Sequence, residues 1–188
     1  MPTEKKNAAK KKAAATKTPP APKTTDTLPA RNADNSLQDL FLGGLKDMYW
    51  AEKHLLTALP KMADAASTNA LAEAFTEHLE ITKTHVERLE EIFSQLGEDP
   101  LPKKCPALEG LVIGGENMIN ETAPESEARE TGILQSGLKV ENFEITAYLG
   151  LIELANKLNL PDAADLLGQT LSEEENAADI LSELGKTL

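Results

Sequence analysis

The stretch 41-FLGGLKDMYWAEKHLLTALPKMADAA-66 decides the fold. Apolar residues recur at Phe41, Leu45, Met48, Leu55, Leu59 and Met62. This three/four spacing is that of a helix stripe turned toward a core. Glu52 stands inside the stripe, seven residues after Leu45 and seven before Leu59. A carboxylate on a core seam is costly unless it is hydrogen-bonded, paired or metal-bound. Two further helical patterns carry the same anomaly, at Glu141 or Glu144 and at Glu174. Buried acids on several bundled helices are how a protein builds a carboxylate-rich metal site.

Around that stretch the spacing predicts four long helices and no strand. Helix 1 is expected over Ser36 to Ala66, with Ser36 as N-cap and a kink at Pro60. A turn at Ser67-Thr68-Asn69 leads to helix 2, over Ala70 to Leu96, stopped by Gly97. A connector from Glu98 to Ala123 holds prolines, Cys105 and a short helix over Ala107 to Asn120. Helix 3 is expected from Thr122 or Ala123, with Pro124 in its first turn, to about Leu158. Pro161 opens helix 4, which runs to about Leu184 before Gly185. Short turns make each pair an antiparallel hairpin, and the long connector can cross the bundle. The expected fold is therefore all-α: a ferritin-like four-helix bundle with one long crossover carrying a short extra helix.

Charge divides the chain in two. Residues 1–31 hold eight Lys/Arg and two Asp/Glu, a net of +6, and the other residues hold eleven and twenty-nine, a net of −18. Residues 1–34, rich in Lys, Ala and Pro, are predicted to be a disordered basic tail, and 35–188 the bundle domain. The tail reads as a solubilising or variable leader or, alternatively, as a nonspecific contact with nucleic acid or another polyanion, without base stacking, since it lacks aromatics. A single cysteine, Cys105, excludes an intrachain disulfide and fits a reducing, cytoplasmic setting. It has no nucleophile partner nearby and reads as a packing thiol. No apolar run is long enough for a membrane span, and the lysine-bearing N-terminus lacks the apolar core of a secretory signal.

Counting outward from each turn gives the heights at which side chains meet. Glu52 lies level with residues near 83, which points to Thr82 and His85. Glu174 matches the level of Glu144 to Thr146. At about 1.5 Å rise per residue, His78 falls roughly 7 Å from that level and Glu141 a little less. Glu52, His85, Glu144 and Glu174 are thus the expected metal ligands, with His78 and Glu141 as second choices. His78 and His85 lie two turns apart and are not expected on the same ion. Such ligands suit iron or manganese, as a mononuclear or dinuclear site, and nothing points to an organic cofactor. Tyr148 shares the helix 3 seam, as a core tyrosine or a donor to the site. His54, Glu173 and Glu175 are expected at the surface, and Trp50 off the seam.

The runs LKDMYWAEKHLLTALPKMA, AFTEHLEITKTHVERLEEIF, KCPALEGL, KVENFEITAYLGL and LLGQTLSEEENAADILSEL closely resemble the YciF/YciE stress-protein family of the ferritin-like superfamily. The resemblance spans about Leu37 to Leu184. It implies a bacterial ferritin-like bundle, a homodimer and a dinuclear metal site, and it implies no particular reaction. The di-iron pattern takes Glu from helices 1 and 3 and Glu-x-x-His from helices 2 and 4. Here those last positions read Thr82-x-x-His85 and Glu174-x-x-Ala177, so each motif is half present. At most a weak oxidase or peroxidase-like activity is expected. The alternative is a noncatalytic dimeric interaction protein whose tail binds polyanions.

Overall fold

The computed structural model describes Met1 and residues 37–187. The basic tail and the Ser36 cap lie outside the described residues. Five helices follow in order: α1 Leu37–Ala65, α2 Asn69–Leu96, α3 Pro106–Glu121, α4 Glu127–Lys157 and α5 Pro161–Gly185. Helix α1 runs through Pro60 to its end. The described residues contain no strand.

Helix packing follows loop length. The short turns make α1/α2 and α4/α5 hairpins, α2 packs on α5, and α1 packs on α4. Neighbours around the bundle are therefore α1, α2, α5 and α4. The extra helix α3 lies against α4 and α1. This is a ferritin-like four-helix bundle with one long crossover. The crossover is fastened to α1 before α3 begins. The Lys103 amide donates to the Lys46 carbonyl at 3.0 Å. Lys103 Nζ meets Asp47 Oδ1 at 2.9 Å.

Apolar stripes close the core. Phe41, Leu45 and Leu55 of α1, Leu71, Phe75 and Leu89 of α2, and Leu167 and Leu181 of α5 are all buried. Each such side chain contributes about 1.5–3 kcal/mol of transfer free energy. Cys105 is buried in the same core and free. At the end of α2, Gly97 adopts φ +68°, where a Cβ would be strained. At the start of α2, Thr68 is the N-cap and its hydroxyl accepts from the Leu71 amide at 3.3 Å.

The start of α4 differs from expectation. Helix α3 ends at Glu121, and Pro124 and Glu125 form a turn, with Glu125 at φ 58°. Ser126 is the N-cap, and its hydroxyl accepts from the Arg129 amide at 3.2 Å. Pro124 therefore precedes the helix instead of entering its first turn. A serine that satisfies an orphan amide is the better start signal here. Arg129 turns back to α3, where its guanidinium donates to the Ile119 carbonyl at 2.6 Å and to the Thr122 carbonyl.

Glu130, in the first turn of α4, ties the two hairpins together. Its carboxylate accepts from the Ser67 amide at 2.6 Å, the Thr68 amide at 3.0 Å and the Thr68 hydroxyl at 2.5 Å. Burial opposes its charge, but these donors outweigh it and hold the pKa below the ordinary glutamate value. One buried acid thus anchors the α1–α2 turn.

Candidate metal centre

Six titratable side chains of the four long helices meet inside the bundle. Glu52 comes from α1, His78 and His85 from α2, Glu141 and Glu144 from α4, and Glu174 from α5. All six are buried. The reason is helical spacing. His78, Thr82 and His85 follow at four and three residues, and Glu141, Glu144 and Tyr148 at three and four, so each set shares a face.

The six fall into two overlapping groups. Ligand atoms of His78, Glu141, Glu144 and Glu174 all lie within 4.8 Å of one another. The same holds for Glu52, His85 and Glu174. Glu174 belongs to both, with Oε2 3.5 Å from His78 Nε2 and Oε1 3.0 Å from His85 Nδ1. His78 Nε2 also stands 3.4 Å from Glu141 Oε2, and His85 Nδ1 3.4 Å from Glu52 Oε2. The two imidazole rings are 6.1 Å apart, centre to centre.

These atoms converge at ion-pair distances but with few hydrogen bonds among them. Glu52 Oε2, both His78 nitrogens, His85 Nδ1, Glu141 Oε2 and both oxygens of Glu144 and Glu174 are buried without a hydrogen-bond partner in the protein. The short His85–Glu174 contact thus lacks the alignment of a hydrogen bond. Unpartnered buried polar atoms cost about 1–3 kcal/mol each. A set that points at common centres fits cations better than it fits itself. Four carboxyls and two imidazoles also match the ligand complement of the ferritin-like dinuclear pattern. Their distribution differs, because α2 gives two histidines and α4 two glutamates.

His78 and Glu141, expected as second choices, stand in one group with Glu144. The height offset of His78 is what separates the two groups. Thr82, in the place of the α2 glutamate, turns its hydroxyl back to the His78 carbonyl at 2.9 Å.

Electrostatics follows from burial. Desolvation pushes Glu141 and Glu144 well above the ordinary carboxyl range, and nearby Glu174 and Glu52 charges add to it. Desolvation also raises Glu52, against the pull of His85. It opposes charge on His85, but Glu174 and Glu52 outweigh it and lift His85 to about 10. It would raise Glu174 as well, yet His85 and His78 hold that carboxyl below the usual value. His78 is lowered, chiefly by burial. Tyr148 is fully buried, donates to Glu52 Oε1, and is raised by desolvation and the surrounding acids.

Two functional neighbours were not visible in the sequence. Glu173, expected in solvent, is half-buried and lies 2.9 Å from His85 Nε2. Arg88 grips Glu173 with two donors, at 2.5 Å and 2.8 Å, and reaches the Thr170 hydroxyl at 3.2 Å. This chain of contacts fixes the His85 ring so that Nδ1 faces the acids. The available signal was Arg88 three residues after His85, on the face that meets α5. Glu175 is exposed as expected. Trp50 is half-buried, and His54 stacks on it at 4.6 Å, away from the site.

Fold and site together define a ferritin-like bundle with buried Glu/His clusters able to coordinate a metal ion. Comparison with known proteins gives the family. Residues 36–188 match the family described as a domain of unknown function, DUF892. Protein YciF of Escherichia coli is 38% identical over 146 residues, 77% of this chain and 87% of that protein. The chain belongs to this YciF-like family. The crystal structure of the E. coli stress protein YciF matches with a TM-score of 0.76 and 36% identity, over 80% of this chain and 94% of that one. YcfI from Rhodopseudomonas palustris matches with a TM-score of 0.76 and 35% identity, over 78% and 93%. Dithionite-reduced symerythrin from Cyanophora paradoxa shares the fold, with a TM-score of 0.61 at 15% identity over 83% and 87%.

Proposed function

We propose that this protein binds iron or manganese through Glu52, His78, His85, Glu141, Glu144 and Glu174, as one ion or as a pair sharing Glu174. The observation that carries the reading is the set of buried, unpartnered Glu and His atoms in two groups with one common member. A hard, carboxylate-rich set with two imidazoles suits these metals. A bound redox-active ion would supply electron transfer toward a small oxidant of the dioxygen or peroxide class.

The protein's own residues set the conditions for that chemistry. Without metal, burial and the neighbouring acids favour the protonated forms of Glu141 and Glu144, which lessens like-charge repulsion in the core. A bound metal ion, held by these carboxylates, would favour their deprotonated forms. Tyr148 holds one oxygen of Glu52, and Glu173 holds the ring of His85. The resulting reading is a stress-associated metal protein whose oxidant-consuming activity is weak at most. A homodimer, a cytoplasmic setting and polyanion contact through residues 1–31 belong to the same reading.

Metal analysis of protein purified without added metal is the test. Bound iron or manganese, and a rise in Tm on adding either ion, are expected. Less than about 0.1 equivalent of any transition metal, with no Tm change, would overturn the reading.

A further inference from the structure

The half-present motif on α5 leaves a space. In Glu-x-x-His the histidine stands three residues after the glutamate, on the same face. Here Ala177 takes that place, and its small side chain borders a cavity of about 80 Å³ between α2 and α5. The walls include His78 and Glu141, two members of the larger group. The mouth is formed by Glu77, Asn176 and Ile180, all exposed. The cavity therefore runs from the surface to the His78 side of the site. Its volume exceeds the roughly 10–15 Å³ that one water needs, and among its largely apolar walls Glu77, His78, Glu141 and Asn176 offer polar atoms to a guest.

Two other approaches to the site, among the described residues, are covered or narrower. His85 is fully buried, and its outer nitrogen is covered by Glu173 and Arg88. A second cavity reaches Glu141 from between α1, α3 and α4, but it measures about 30 Å³. Its walls include Leu55, Leu59, Phe75, Val112 and Val140, an apolar lining suited to stay dry.

We infer that the Ala177 cavity is the binding pocket for a small exogenous ligand, of the size and polarity of peroxide or azide, that reaches the metal from the His78 side. The inference rests on the metal-binding reading above. The place of the absent histidine is then a cavity, which connects the unpartnered atoms of His78 and Glu141 to solvent between α2 and α5. An access path of this kind is what an exogenous ligand would need to approach a bound ion.

Azide added to iron(III)-loaded full-length protein is the probe, read by its charge-transfer absorption with iron content measured in parallel. Wild type is expected to develop the band. Ala177→Leu fills the pocket and is expected to lose the band while keeping its iron. Asn176→Phe closes the mouth from an exposed position, so it tests the same loss without disturbing the core. Ala177→His places an imidazole in the pocket and is expected to tighten metal binding while removing the azide band. Failure of wild type to take up iron overturns both this inference and the reading beneath it. Iron-loaded wild type without an azide band, or a band unchanged in folded Ala177→Leu and Asn176→Phe, overturns this inference alone.

Discussion

The two halves of the site are built differently, although they share Glu174. On the His85 side, the outer ring nitrogen meets Glu173, Glu173 is gripped by Arg88, and Glu52 receives the Tyr148 hydroxyl. On the His78 side, neither ring nitrogen has a hydrogen-bond partner, and both oxygens of Glu144 are unpaired. The first half is fixed by the protein alone. The second is left for something else to organise. The difference teaches that a bundle can preorganise one ligand set while keeping its neighbour open, using residues on the same four helices.

The strongest way to break the comparison is to remove the member common to both halves. Glu174→Gln is expected to lower metal affinity more than a hundredfold, about 3 kcal/mol, at both halves together. Isothermal titration with manganese(II) measures it. If one half keeps wild-type affinity, Glu174 is not shared.

A change remote from both halves separates loss of fold from loss of site. Glu130→Ala leaves the Ser67 and Thr68 amides without their acceptor and is expected to cost about 2–3 kcal/mol in urea unfolding. Metal stoichiometry of the folded fraction should not change. Glu130 has a depressed folded pKa, so its stabilisation is present above the unfolded value and lost as pH falls through the folded one. Glu130→Gln should flatten that acid-side slope.

The closed half depends on a residue outside the cluster. Glu173→Gln weakens the hold on His85 and is expected to reduce metal affinity by about 10–100-fold, the usual cost of losing such a partner. Glu175→Gln, one residue along and exposed, should have no effect. Equal losses from both would dissolve the distinction between the halves.

Protonation sharpens the contrast more gently. Glu52, Glu141 and Glu144 have raised folded pKa values. Their stabilisation is therefore complete below the unfolded value of about 4.3 and is lost as pH rises through the folded values. Metal-free protein is expected to lose Tm as pH rises above about 4.3, and added manganese(II) to reverse the slope. The smallest effect belongs to Tyr148→Phe, which removes one hydrogen bond to Glu52 and should cost about 1 kcal/mol of stability.

Much of the fold was legible because its signals are local. Stripe spacing, Gly97 and Pro161 placed the long helices to within a residue or so, and loop lengths paired them. The start of α4 was misread because Pro124 is as compatible with a turn as with a helix start. At the site, Glu52 betrayed itself by standing on an apolar stripe, and counting from the turns brought His85, Glu144 and Glu174 to its level. Glu173 looked solvated because it sits in a run of three glutamates. Its partner Arg88 is 85 residues away in the chain. Glu130 was hidden for the same reason, with its turn partners 62 and 63 residues distant.

The sequence by itself therefore determined that acids and histidines face inward at the middle of a four-helix bundle. The 1.5 Å rise and 3.6-residue turn fix height and face along any one helix. Tertiary structure alone decided that Glu174 stands in both groups, that Arg88 and Glu173 cover one half, and that a cavity beside Ala177 borders the other. Those features depend on how two hairpins rotate and slide against each other. Helical periodicity carries no record of that.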